Sequence, residues 1–428
     1  MSRLKEFQRE AWGLERLLFS VQLPPPRFRS NVFTAREQEI ERAEAVLLDA
    51  PRNLLLSGLF GVGKTIFIQE LLDGLEERYP EEVLVVRECL DSAESDLLTT
   101  ILRGLAHVLK GEDTEAHQIN QVLAGVELTS QASEKAGGTG ELGVPGIFKV
   151  GGSGESAATE TWARKVVPNA SFQVRELVRN ANGRYPDRRL IVAVDDLDKR
   201  DPATVRQSLV EARSALHTDC AFVLTGHPLG VLRNIYSTAG GIFDVQLDLK
   251  VLSADNMKLL MTNYLEAGRL ESTPQRGLHP FTEEAAQTII SRSFGIPRLL
   301  NKICLHILLQ AGELRRPEID MDTLRECWRI EGEKLRQGMS EEMARLYEML
   351  QEQTDGFDPS LVPDDIYERL GVDSHQALLA KFNAAVGTDF VIGVDREGQT
   401  RFLPQPLLEL PPSTSGDDAE NNAREAND

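Results

Sequence analysis

Between residues 36 and 250, short runs of apolar residues alternate with longer stretches whose apolar positions recur every three or four residues. REQEIERAEAVLL, residues 36–48, has the helical spacing; 53–57 reads as a short buried strand and 65–79 as an amphipathic helix. Residues 82–87 (EVLVVR) make a second strand and 96–110 a second helix. Strand signals return at 190–194 (LIVAV) and 221–224 (AFVL), with a helical pattern over 202–216 between them, and 243–247 offers a fifth, less apolar strand. Strands that are apolar on both faces and alternate with helices imply a parallel sheet covered by helices on both sides. The expected fold class is α/β.

Beyond residue 250 the rhythm changes. SADNMKLLMTNYLEA, TEEAAQTIISRS, PRLLNKICLHILLQA and DMDTLRECWRI are helical throughout, which predicts an α-helical lid over 251–332. Over 333–410 helices give way to DFVIGV and TRFLP around a turn at 395–398, the pattern of a small winged-helix-like C-terminal domain.

Three stretches interrupt these rhythms. Residues 1–35 end in VQLPPPRFRSNVF, where consecutive prolines favour polyproline geometry, so an N-terminal extension with a stiff, extended linker is expected. Residues 111–165 include AGGTGELGVPGIFKVGGSGES and read as a flexible Gly/Ser-rich insertion within an α/β domain spanning 36–250. The tail 411–428, ending GDDAENNAREAND, is acidic and polar and is expected to be disordered.

Composition narrows the classes. A chain of 428 residues is too long for one ordinary core. No apolar run approaches a membrane span, and MSRLKEFQREAWGLERLL, with acids in its first ten residues, does not read as a signal peptide; a cytoplasmic protein without membrane insertion is expected. Cys89, Cys220, Cys304 and Cys327 have no CxxC spacing, which points to reduced core thiols rather than disulfides or zinc. The net charge of −20 opposes non-specific attraction to nucleic-acid phosphates.

The chemistry begins at 58–65, GLFGVGKT, directly after Leu54, Leu55 and Leu56. Gly58-x4-Gly63-Lys64-Thr65 is the phosphate-binding loop pattern, in the strand-loop-helix context it requires. Gly58, Gly61 and Gly63 let the backbone curl so that amides, with those of Val62 and Ile66 nearby, converge on one anion, and the following helix adds its positive end. Lys64 is expected to reach the terminal phosphates and the Thr65 hydroxyl to bind Mg2+. LIVAVDDLDKRD then places Asp195 and Asp196 after an apolar strand, the first to hold Mg2+ with Thr65, the second to orient an attacking water. Asp198 and Lys199 read as a solvated turn. After the next strand, Thr225 is placed to sense the terminal phosphate and His227 to shape a loop. Ser293-Phe294-Gly295-Ile296-Pro297-Arg298 breaks the lid and opens a new helix, Pro297 suiting its first turn and Arg298 able to reach phosphates from the lid. ATP and Mg2+ are the expected cofactors.

In this order the pieces resemble an AAA+ P-loop ATPase, within the branch of ExeA-type, TniB-type transposition and origin-recognition-type ATPases. The resemblance covers about residues 30–330 and implies a P-loop NTPase sheet followed by a helical lid. NVFTAREQE, with Phe33, Arg36, Glu37 and Glu39, is similar to the F-x-G-R-E-x-E opening of that branch, which implies that Arg36 lies on the adenine side; Ala35 stands where glycine is usual. Gly226-His227-Pro228 is similar to a Gly-Gln-Pro segment of ExeA-like proteins, and FTEEAAQTIISRSFGIPRLLNKIC to the sensor 2 helix pair. Asp196 stands where many relatives carry glutamate, as in STAND-type signalling ATPases, which implies slow hydrolysis. Arg233 is the candidate arginine finger of a homo-oligomer.

The resemblance implies an ATPase and leaves its use open. An oligomeric switch that recruits or regulates a protein partner is one reading, with bacterial antiviral defence as a setting. A DNA-associated loader using the C-terminal module is another, and a module that only steadies the lid a third. Residues 331–428 carry 8 Lys/Arg against 21 Asp/Glu, which disfavours DNA except at Arg396 and Arg401.

Overall fold

The computed structural model describes residues 3–90, 96–109, 169–197, 202–226, 241–353, 356–359, 361–387, 390–396 and 399–409. The insertion at 111–165, Asp198, Lys199, His227, Arg233 and the tail 411–428 lie outside the described residues.

After α1 (Arg3–Trp12) and α2 (Pro26–Val32), the α/β layer runs α3 (Glu37–Asp49), β1 (Leu54–Gly58), α4 (Lys64–Arg78), β2 (Val83–Cys89), α5 (Leu97–Leu109), α6 (Ala170–Arg184), β3 (Arg189–Asp195), α7 (Pro202–Leu216), β4 (Ala221–Gly226) and β5 (Val245–Leu249). The five strands form one parallel sheet in the order β2-β3-β4-β1-β5. β1 and β4, buried at every residue, and β3, buried at all but its first, occupy the interior. The outer strand β5 alternates partly exposed and buried residues, as an edge requires. Along β1 the side chains divide by the two-residue period: Leu55 packs with Val86, Val192, Phe222 and helices α5, α6 and α7, while Leu54 and Leu56 face α3 and α4. Helices thus cover both faces, as the alternating pattern implies.

α6 has no counterpart in the sequence reading. Its buried residues Ala170, Val174, Leu177, Val178 and Ala181 follow helical spacing, but polar residues dilute the stripe, and it begins five residues after the stretch 111–165 read as an insertion.

The lid comprises α8 (Ala254–Gly268), α9 (Glu283–Arg292), α10 (Pro297–Glu313) and α11 (Met321–Gln337). Ser253, Thr282 and Asp320 cap three of these helices, each side chain accepting from the backbone amide three residues on. α11 continues through residue 333, where the sequence reading began a new domain.

The polyproline linker needs correction. Pro26 opens helix α2, because a proline at the first helical position has its φ pre-set and loses no intrahelical bond. The N-terminal stretch also packs as part of the lid: Trp12, Leu14, Leu18, Phe19 and Val32 share a core with α8–α11, and the fully buried Trp12 donates from Nε1 to the Arg316 carbonyl at 3.0 Å. From the other end of this stretch Arg29, on α2, pairs with Asp73 of α4 at 2.6 Å. Residues 3–32 therefore tie the lid to the sheet layer.

The C-terminal region has α12 (Glu341–Gln351), α13 (Asp364–Arg369), α14 (His375–Gly387) and an antiparallel hairpin, β6 (Val391–Arg396) with β7 (Gln399–Pro404). Phe357, Phe382 and Phe402 stack in sequence at 4.8 and 4.5 Å inside its core. Val394, Leu403 and Leu407 instead join the lid core, and Trp328 of α11 donates to the Pro406 carbonyl at 3.0 Å. The hairpin is thus wedged between the lid and the C-terminal helices.

Candidate functional site

The order β2-β3-β4-β1-β5 brings the carboxyl ends of β1, β3 and β4 side by side, where open parallel sheets hold ligands. The loop after β1 turns through left-handed backbone at Gly61 (φ 80°) and Gly63 (φ 105°), conformations that disfavour any side chain. Gly63 is the N-cap of α4 and has no side chain to satisfy the first-turn amides, so they are left for an anion. Lys64 is buried and donates from Nζ to the carbonyls of Gly58 at 2.9 Å and Leu59 at 3.2 Å, holding the loop closed on itself. Thr65 follows it in the first turn of α4.

Across the crevice, β3 ends at Asp195, buried and accepting on Oδ1 from the Thr225 hydroxyl at 2.6 Å and the Asp196 amide at 2.8 Å. Thr225 also accepts from the Asp196 amide at 3.0 Å. These bonds tie Thr225, fully buried, to the Asp195 carboxylate and to the Asp196 backbone amide. Asp196 itself has a left-handed backbone (φ 65°), a strained conformation for a non-glycine residue that turns its side chain away from the strand direction. The half-buried Cys89, at the end of β2, donates from Sγ to Asp196 Oδ2 at 3.0 Å. The other three cysteines, Cys220, Cys304 and Cys327, are buried, as the reading of core thiols implies.

A cavity of about 260 Å³ lies between this loop and the lid. Gly61, Val62, Gly63, Lys64, Thr65, Ile66, Asp196, Arg36 and Arg298 all line it, whereas Gly58, Asp195 and Thr225 stand behind the lining. The lid touches the phosphate loop directly: the Arg298 amide donates to the Gly61 carbonyl at 3.2 Å, and a Cβ on Gly61 would lie 2.9 Å from that of Arg298. The Arg298 guanidinium lies 4.7 Å from the Phe60 ring centroid, and its Nε is buried with no partner.

Arg36 is buried beside the cavity, donating to Glu39 at 3.2 Å and to the Lys250 carbonyl at 2.5 Å. Burial lowers its pKa, and Glu39 opposes that shift. Ala35 before it has φ 59°, which explains why the resembling pattern has glycine there.

Sequence reasoning missed the far end of the cavity. Ser20, Val21, Gln22, Leu23 and Pro24 line it from the N-terminal stretch, with Leu252, Tyr264 and Asn301 from the lid. Phe19 stacks on Tyr264 with ring centroids 5.1 Å apart. Burial pushes the Tyr264 phenol pKa up, opposed by its hydrogen bond from Asn301. No local motif marks these residues; they meet only because 3–32 fold onto the lid.

A loop with these amides, an invading lysine and two carboxylates opposite has the donor set of a nucleoside triphosphate and a hard cation. The family described as AAA ATPase domain matches residues 32–218. This match agrees with the resemblance to AAA+ P-loop ATPases read from the sequence. No curated protein matches the chain. Among solved structures, the chain is similar to Cdc6p from Pyrobaculum aerophilum, at 17% identity over 91% of this chain and 94% of that one, with a TM-score of 0.45. It is similar to the Aeropyrum pernix ORC1 protein in complex with DNA, at 15% identity over 89% and 91% with a TM-score of 0.49. It is also similar to the Thermotoga maritima RuvB Holliday junction branch migration motor, at 10% identity over 90% and 94% with a TM-score of 0.40. Among the described residues no helix is long and apolar enough to cross a membrane.

Proposed function

We propose that this chain binds ATP with Mg2+, hydrolyses it slowly, and works as a homo-oligomeric switch that recruits or regulates a protein partner. The observation that carries this reading is the shared cavity, lined on one side by the phosphate loop and on the other by Arg298 of the lid. A ligand that bridges both sides biases the angle between lid and sheet, which is how nucleotide state becomes a change of shape.

In this reading the amides of 61–66 and Lys64 hold the phosphates, and Arg298 adds a cation from the lid. Thr65 and Asp195 would hold Mg2+, which neutralises phosphate charge when bound. Asp196 orients the attacking water, while Thr225 holds the Asp195 carboxylate and the Asp196 backbone in place. The shorter aspartate in the water-orienting position favours slow turnover. Arg36, braced by Glu39 and the Lys250 carbonyl, shapes the wall towards the base.

A protein partner is favoured over DNA by the state of the basic residues in 331–428. Lys334 pairs with Glu331, Arg345 with Glu341, Arg369 with Glu352, Lys381 with Glu342 and Arg401 with Asp358, while Arg336 donates to the Leu408 carbonyl. Arg401, one of the two wing candidates for DNA, is thus 3.8 Å from a buried carboxylate. A winged-helix-like region in which these six basic side chains have partners within the chain suits a protein surface better than a phosphate backbone. Bacterial antiviral defence is one setting for such a switch.

Two measurements test the proposal. Asp196→Asn should retain ATP binding and lower turnover about 100-fold or more, the range of a lost general base; unchanged turnover would assign the water to another residue. ATPase activity at physiological salt should be indifferent to duplex DNA. Stimulation by DNA that disappears in an Arg396→Ala, Arg401→Ala variant would replace the switch with a DNA loader.

A further inference from the structure

Helices α6 and α7 pack side by side over the sheet, and the Ser171 and Ser214 hydroxyls join them at the surface at 2.6 Å. On α6, Phe172, Arg175 and Arg179 stand at positions i, i+3 and i+7. On α7, Arg206, Val210 and Arg213 stand at i, i+4 and i+7, so each helix turns one such stripe outward. All six residues are exposed, Phe172 over 53% and Val210 over 49% of the side chain's full surface. The Arg175 guanidinium lies 5.9 Å from the Phe172 ring centroid. Arg179, Arg206 and Arg213 pair with no acid among the described residues. The two helices hold five arginines against two glutamates, a net charge of +3 in a chain of −20. Folding does not ask for this face, because the sheet-facing positions Val174, Leu177, Val205 and Leu209 are already buried. An exposed aromatic among arginines has the composition of an interface centre.

We propose that the α6–α7 face docks the acidic C-terminal region of a second copy of this chain. This rests on the homo-oligomer of the reading above and names the surfaces that build it. Charge complementarity selects the occupant: residues 331–428 carry a net −13, against +3 on the two helices. Within that region Asp365 and Glu368 of α13 are exposed, and Leu361, two residues before the helix begins at Pro363, is 73% exposed. A leucine beside acids on one copy thus answers a phenylalanine beside arginines on the next. Both surfaces are open in the single chain, so neither is used within it. The contact joins two different surfaces, so it is heterologous and repeats head to tail. Nucleic acid also seeks arginines and an aromatic ring, but the net charge of the whole chain opposes its approach.

The test is sedimentation velocity on the full chain with ATP and Mg2+ at physiological salt, using two charge-reversed variants. Arg175→Glu with Arg213→Glu reverses one surface, and Asp365→Lys with Glu368→Lys reverses the other. Each variant alone should self-associate about 10-fold or more weakly than wild type, because like charges then face each other. An equimolar mixture should recover wild-type association, since every contact between unlike copies is again complementary. Wild-type association in both variants, or a mixture that fails to recover, would overturn the docking and leave the homo-oligomer and the ATP site standing. A wild type that stays monomeric would overturn the homo-oligomer as well. Binding of a single-stranded oligonucleotide by wild type, lost in Arg175→Glu with Arg213→Glu, would give the face to nucleic acid instead. The wild-type salt series needs no variant: association should weaken steadily as salt rises, and association indifferent to salt would overturn the proposal even if a variant does not fold.

Discussion

The two ends of the cavity are encoded in different ways. At the phosphate end, one stretch of nine residues, 58–66, supplies the loop, the lysine and the threonine, and Asp196 faces it from the next strand but one. At the far end, Ser20, Leu252, Tyr264 and Asn301 come from three separated parts of the chain. Phosphates are held largely by backbone amides, which every residue but proline has, so the requirement is a local curl that glycines permit. A base is recognised by side chains, and these must be delivered by tertiary packing. One end is therefore a motif and the other an assembly.

Removing the lysine is the most severe way to break the phosphate end. Lys64→Ala should weaken ATP about 100-fold or more by calorimetry, since a charge-assisted contact to a buried polyanion is lost. Inorganic tripolyphosphate, which carries no base, should lose affinity equally. Normal affinity for either ligand in this variant would remove the phosphate-loop assignment.

The same contrast explains what was legible in the sequence. β1, β3 and β4 were readable because central parallel strands are apolar on both faces, and the phosphate loop because its glycines sit between a strand and a helix. Arg298 was readable only through its place after Pro297 in a broken helical run. The role of 1–35 was not. Three prolines carry the signal of a linker, whereas the burial of Trp12, Phe19 and Val32 depends on partners 240 or more residues away for Trp12 and Phe19. Thr225 was legible as a polar strand end, yet its partner, Asp195 Oδ1, is fixed by the register of β3 beside β4, which pairs Val194 with Leu224. The helix α6 was missed because polar residues dilute its apolar stripe, though its neighbourhood in space is the sheet core.

Arg298 joins the two ends, so replacing it sharpens the comparison. Its guanidinium rests on Phe60, a cation–π contact worth about 0.5–1 kcal/mol at such a site, while its buried Nε has no partner. Arg298→Ala should therefore lower the melting temperature of the nucleotide-free protein only slightly, yet weaken ATP about 10-fold by loss of one charged hydrogen bond. The nucleotide-induced rise in melting temperature should shrink accordingly. Unchanged ATP affinity would mean that the lid contributes no phosphate contact, and the coupling between lid angle and nucleotide state would need another source.

The mildest change is aimed at the base end alone. Phe19→Leu keeps an apolar side chain in the lid core but removes the 5.1 Å stack on Tyr264, an aromatic pair worth about 0.5–1.5 kcal/mol. Tyr264 then loses the support that holds its hydroxyl beneath Asn301 Nδ2. ATP affinity should fall a few-fold, about what loss of the stack converts to. Tripolyphosphate affinity should not change, because 58–66 is folded by its own glycines and by Lys64 rather than by the N-terminal stretch. A variant that weakens both ligands equally would show that the strap formed by residues 3–32 positions the phosphate loop as well. The two ends would then be one cooperative unit, linked through the Arg29–Asp73 pair between α2 and α4.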